Sequence, residues 1–203
     1  MKYRVVLFGA LLSAQAFAAT PEPVIPLQQN LTAVEYSSSG RQTGCGLRIT
    51  GVTSQNLSLN VLITVFLKES GDKFGVVKVV ARKVKMKNGV PLTQDGAETY
   101  SSMGKIRKAW IKPDSGRQPR IYQNGESSHN DAYMVTAEFA GTVDLLVAIS
   151  QETFRVGLNR SESGPDEIFQ FDRRISPEEA GKLSACMNNL RTSIEENKSN
   201  KSF

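Results

Sequence analysis

Histidine, tryptophan and cysteine are almost missing from this 203-residue chain, which holds one His, one Trp and two Cys. A tetrahedral zinc site needs three or four Cys, His or carboxylate ligands at close spacing. Cys45, His129 and Cys186 stand singly and far apart, so neither a metal centre nor a cofactor is expected. No C-x-x-C motif is present to lower a thiol pKa, which argues against a redox-active pair. No apolar run reaches the roughly 20 residues of a membrane-spanning helix. Glycine (16) and proline (8) are near average and no residue type dominates, which excludes collagen-like and low-complexity classes. With 39% hydrophobic and 22% charged positions, the chain suffices for one well-packed domain and is short for two.

The first nineteen residues read as an export signal. Met1 to Arg4 is a short basic region, Val5 to Leu12 an almost continuous apolar run, and Ala16-Phe17-Ala18 a small-x-small cleavage site. Cleavage is expected after Ala18 or Ala19, giving a soluble periplasmic or secreted bacterial protein. No cysteine sits at that cleavage point, so no lipid anchor is expected, and Lys2 and Arg4 are not a twin-arginine pair. In an oxidising compartment the lone pair Cys45 and Cys186 is expected to bond to itself.

The formal net charge is +5, but it is unevenly spread. Lys68 to Arg120 holds 13 basic and 5 acidic residues, while the rest of the mature chain is net acidic.

Along the chain, Pro21, Pro23 and Pro26 suggest a Pro-rich arm over residues 20–34, ahead of a single β-rich domain over 35–196 and a polar tail over 197–203. Gly44 to Gly51 alternates apolar and polar residues, and Leu57, Leu59, Val61, Ile63, Val65 and Leu67 occupy every odd position of a long strand. Val76 to Lys87 continues as a strand whose faces reverse near Arg82-Lys83, which predicts a bulge there. Asn88-Gly89 and Asp95-Gly96 are hairpin-turn signals. Glu98 to Ser128 is irregular, with a brief strand at Ile106 to Ile111. Tyr133 to Phe139 and Val143 to Ile149 both alternate, which predicts a hairpin, and Phe154 to Leu158 and Ile168 to Asp172 complete the strands. Ser176-Pro177-Glu178-Glu179 is a helix start, with a serine N-cap, proline at the first helical position and glutamate at the third. Ala180, Leu183, Met187, Leu190 and Ile194 then form an apolar stripe bordered by Cys186. The expected fold is therefore mainly β, an antiparallel sheet or sandwich of about seven strands. One C-terminal helix packs on it and is tied to it by a disulfide.

Candidate chemistry is sparse. His129, flanked by Glu126, Asp131 and serines, offers the components of a hydrolase, but neighbours on one loop rarely aim at one another. No G-x-S-x-G elbow is present. Ser-x-x-Lys occurs at Ser70/Lys73 and Ser102/Lys105, at the frequency expected by chance and without its companion motifs. Gly44-x-Gly46 does not extend to a dinucleotide fingerprint, since Ile49 stands at the third glycine position. The basic region is the best candidate. Lys83, Lys85 and Lys87 alternate with Val84 and Met86, and Lys105, Arg107 and Lys108 lead into Trp110 and Lys112. Together they predict a binding patch for an acidic protein or an anionic envelope polymer, with nucleic acid less favoured. The bland alternative is an edge strand guarded from aggregation by lysines. The expected function is a non-enzymatic exported binding protein. The other classes are an envelope-assembly protein and, behind it, a hydrolase centred on His129.

Overall fold

The computed structural model describes residues 24–25, 27–116, 119–125, 127, 129–161, 164–172 and 174–199. The expected signal peptide and Glu126 lie outside them. The elements in chain order are β1 (Val24–Ile25), β2 (Gln28–Ser38), β3 (Arg41–Val52), β4 (Leu57–Leu67) and β5 (Lys73–Val84). Short strands follow: β6 (Met86–Lys87), β7 (Val90–Pro91), β8 (Thr93–Gln94), β9 (Ala97–Glu98) and β10 (Tyr100–Ser101). Then come β11 (Lys108–Pro113), β12 (Ile121–Gly125), β13 (Ala132–Ala137), α1 (Phe139–Gln151), β14 (Phe154–Asn159), β15 (Glu167–Phe171) and α2 (Pro177–Ser199).

Alternation in β4 sets the architecture. All its odd positions are buried, and the register carries that parity into the neighbouring strands: Leu59 faces Ala81, Val61 Val79 and Ile63 Val77 on β5, while Ile63 faces Leu47 on β3. The main sheet runs β12-β13-β5-β4-β3-β2, with β10 also on β5, and a second sheet runs β1-β15-β14-β11. Phe154, Val156, Leu158, Phe169 and Phe171 of the second sheet join the odd residues of the first in one core.

Both helices cover that same odd face. Cys45 of β3 is bonded to Cys186 of α2, as expected, closing a separation of 141 residues. A loop of that size corresponds to about 5 kcal/mol in the chain-entropy view. Leu183, Cys186, Met187 and Leu190 of α2 face the core or its margin. The helix begins as expected, with the Glu179 N–H donating to Ser176 Oγ at 3.3 Å. The Glu179 carboxylate does not complete a capping box. It accepts the backbone N–H of Ala33 on edge strand β2 at 2.6 Å and the Lys182 ammonium at 2.7 Å, so the helix end caps the sheet edge.

Several expectations are corrected. Of residues 20–34, expected in an arm, 24–25 and 28–34 are strand: β1 pairs in parallel with β15, β2 is the edge of the main sheet, and Leu31 is buried. The proline spacing masked this because only alternate residues of an edge strand need be apolar. Residues 143–149, expected as a second hairpin strand, lie in α1, which buries Thr142, Leu145, Leu146, Ala148 and Ile149 and exposes Val147. A short apolar run fits both periods, and packing on β4 and β5 decided it. No bulge falls at Arg82-Lys83: β5 keeps register with β4 to Leu57↔Lys83. The change of face there reflects the end of the sheet, where Lys83 projects beyond the core and is exposed. α2 runs to Ser199, into the expected tail.

Between β5 and β10 the chain builds two hairpins, closed at Asn88-Gly89 and Asp95-Gly96 as their turn chemistry predicts. All four turn residues have positive φ, between 53° and 78°, the geometry that suits Asn-Gly and Asp-Gly. Their bases meet in a ring of three backbone bonds. The Lys85 N–H donates to Thr99 O at 2.9 Å, Leu92 N–H to Lys85 O at 2.8 Å and Thr99 N–H to Leu92 O at 2.8 Å.

Candidate functional site

With helices and second sheet on the odd face, the even face of the main sheet is left open. Its rungs can be read across the strands from the register. One rung is Thr32, Arg48, Leu62, Lys78 and Met134, the next Asn30, Thr50, Asn60, Val80 and Ala132, and the third Gln28, Val52, Ser58 and Arg82. Arg48, Ser58, Asn60, Leu62, Lys78, Val80 and Arg82 line a groove of about 390 Å³, with Tyr100 and His129 at its rim.

Three cations converge there. Arg48 and Lys78 flank Leu62 two strands apart, roughly 10 Å in the direction across the sheet, and Lys78 and Arg82 are about 13 Å apart along β5. Neither the Arg48 nor the Lys78 side chain makes an ion pair or hydrogen bond among the described residues. Arg82 Nε lies 3.7 Å from Asp131 Oδ2 but has no hydrogen-bond partner among those residues. Asp131 is held elsewhere, accepting from Ser102 Oγ at 2.7 Å and from the Met103 N–H at 2.9 Å. The Tyr100 hydroxyl donates to Glu98 Oε2 at 2.9 Å. Burial, then the Glu98 hydrogen bond and charge, push its pKa up, against the opposing pull of Ser58 and Arg82.

Further along the same face the rung Tyr36, Gly44, Phe66, Phe74 is aromatic. Phe66 stacks on Phe74 at 5.5 Å and meets Tyr36 at 5.0 Å, and the Lys68 ammonium lies 5.2 Å from the Phe74 ring centre. These rings are engaged with one another and close that end of the face.

The residues expected in the basic patch fall in three places. Lys83, Lys85 and Lys87 are all exposed, with Val84 buried and Met86 half-buried between them, so the alternation holds. Only Lys83 lies in the main sheet, on the parity opposite to the groove; Lys85 and Lys87 leave it in the first hairpin. They stand at the groove end of the molecule, because Tyr100 both pairs with Val84 and lines the groove. Lys105 and Arg107 lie in the loop beside His129, where the Ile106 N–H donates to Asn130 O at 2.8 Å. Arg160 ties that loop to β5, donating to Gly104 O at 2.8 Å and Ala81 O at 3.4 Å. Lys108, Trp110 and Lys112 share the outer face of the second sheet, opposite Asn159, Gly157 and Arg155. Trp110 is bound there, its indole N–H donating to Asp166 Oδ2 at 2.6 Å.

The hydrolase components do not assemble among the described residues. His129 is exposed, and among the described residues its hydrogen bonds are through the backbone, from its N–H to Ser127 Oγ and from the Ala132 N–H to its carbonyl. Asp131 serves Ser102 and Arg82 instead.

Sequence reasoning missed Arg48, Lys78 and Arg82. Lys78 and Arg82 were detectable as same-parity cations opposite Val77, Val79 and Ala81, but Arg48 joins them only through the β3–β4–β5 register. Fold and site together define a mostly antiparallel β protein, its two larger sheets around one core, with a disulfide-pinned helix and a cationic groove on the open face of the main sheet. No protein-family model, curated protein or solved structure matches the chain.

Proposed function

We propose that the protein is exported to the periplasm or secreted, and that it binds an anionic envelope polymer or acidic protein there without catalysing a reaction. The observation that carries this is the groove with its two unpartnered cations, Arg48 and Lys78, facing each other across Leu62. Side chains on the open face of a sheet are free to be polar or apolar. Two cations of one sign on that face, with no counter-charge on either among the described residues, leave a positive field for a ligand of opposite sign. Lys83, Lys85, Lys105 and Arg107 around the same end extend the positive field that would draw such a partner in. Export is supported by the leader-like first nineteen residues and is compatible with the buried disulfide. Binding is favoured over hydrolysis because the His129 imidazole has no bonded carboxylate or hydroxyl among the described residues.

Retention on immobilised heparin, used as a generic polyanion, tests the role. The Arg48→Gln/Lys78→Gln double variant is expected to elute at lower salt, its log-log salt slope shallower by about two, roughly one per cation removed. Its melting temperature should stay unchanged, because neither side chain supports the fold. A Lys108→Gln/Lys112→Gln variant serves as control. Loss of retention in the control but not in the groove variant contradicts the role.

A further inference from the structure

We infer that the ligand of this groove is an acidic polysaccharide, a chain of hydroxyl-bearing sugar rings carrying carboxylate or sulfate groups. The specificity rests on the anion-binding role proposed above and narrows it by three observations.

The first concerns what the groove does not offer. Its floor is the middle of a sheet, where the backbone groups of β3, β4 and β5 are used in continuous ladders from Gly44↔Phe66 to Leu57↔Lys83. An extended peptide gains much of its affinity from free backbone donors and acceptors at a sheet edge, and here it would find none. Single-stranded nucleic acid gains from aromatic side chains on which bases stack. The groove has two small rings at its rim, the Tyr100 phenol, whose hydroxyl is bound to Glu98, and the His129 imidazole, and the other described aromatics of this face, Tyr36, Phe66 and Phe74, are packed against each other.

The second concerns what lies between the cations. Leu62 and Val80 form an apolar floor, Ser58, Asn60 and Tyr100 supply neutral donors and acceptors around it, and the His129 imidazole stands at the rim. The Asn60 amide has no partner among the described residues. A sugar ring has this same division, with apolar C–H faces and a rim of hydroxyl groups.

The third is charge spacing. The backbones of Arg48 and Lys78 stand roughly 10 Å apart on either side of Leu62, and that of Arg82 about 13 Å from Lys78, so neutral residues separate the cationic ones along the face. That pattern fits a polymer whose anionic groups are interrupted by neutral ring surface better than one with a charge on every short unit.

Titration calorimetry on the mature protein tests the assignment, with four probes: oligogalacturonate, a sulfated heparin oligosaccharide, oligo(dT) and poly-glutamate, plus a neutral galactose oligomer of matched length. The expected result is that at least one acidic oligosaccharide binds about tenfold or more tightly than the neutral oligomer, oligo(dT) and poly-glutamate. The preferred oligosaccharide should weaken about tenfold in Arg48→Gln/Lys78→Gln, and Asn60→Ala should also weaken it while leaving the weaker binding of poly-glutamate in place. If oligo(dT) or poly-glutamate binds as tightly and with the same dependence on Arg48 and Lys78, the glycan assignment is overturned and the anion-binding role stands. If no polyanion responds to the double variant, both fall.

Discussion

Trp110 is the single indole of the chain, and the structure uses it for packing. A Cβ on Gly157 would stand inside its ring, so the indole lies on the bare backbone of β14, and its N–H is bound to Asp166. That bond is the largest influence on Asp166, followed by the Asn159 amide, and both hold its carboxyl below the usual carboxylate range. A depressed folded-state pKa means that the stabilisation is fully present above the ordinary carboxylate pKa and is lost as pH falls through the lowered value. Trp110→Phe is therefore expected to raise the Asp166 titration towards its ordinary value and to lower stability at neutral pH by about 1 kcal/mol. Carbon-detected NMR titration of the Asp166 carboxyl reads the first effect and denaturant unfolding the second. An unmoved titration curve would refute the assignment.

At the scale of elements, α1 depends on a glycine. Gly75 of β5 lies under Thr142, and a Cβ there would collide with the Thr142 side chain. Thr142 is fully buried and its hydroxyl donates to Glu138 O at 2.7 Å within the first turn, so it has little room to yield. Gly75→Ala is expected to cost about 1–3 kcal/mol, the range for overpacking a filled core, and Gly75→Ala/Thr142→Ala, which removes Oγ1 (the atom nearest the new Cβ) and Cγ2, to recover part of it. Urea unfolding of the three proteins is the measurement. The same junction shows where sequence reading stopped. β4 was fully legible because its odd positions are apolar without a break and each is buried. α2 was legible from its serine cap and its stripe. Val143 to Ile149 alternates as well as β4 does, and only the close approach allowed at Gly75 and burial on β4 and β5 make it a helix. β1 was hidden for a related reason, since its parallel pairing with β15 has no local signature, and the start of β2 because an edge strand needs only alternate apolar residues.

For the whole molecule, the decisive feature is that two helices and a second sheet share one face of a long, regular sheet and leave the other open. The concentration of positive charge over Lys68 to Arg120 was legible, but its centre of action was not. The lysines at 83, 85 and 87 that stand out by eye run off the sheet into a hairpin. The cations that face one another come from β3 and β5, and their meeting depends on β4 lying between them in a fixed register. Lys112 and Trp110, named from the same composition, belong to the second sheet. The most direct test is to titrate the isotope-labelled protein with the sulfated heparin oligosaccharide and follow the amide resonances. The account predicts shifts centred on Arg48, Asn60, Leu62, Lys78 and Arg82 and extending to Tyr100 and His129. Shifts confined to Lys108, Lys112 and Arg155 on the outer face of the second sheet would contradict it.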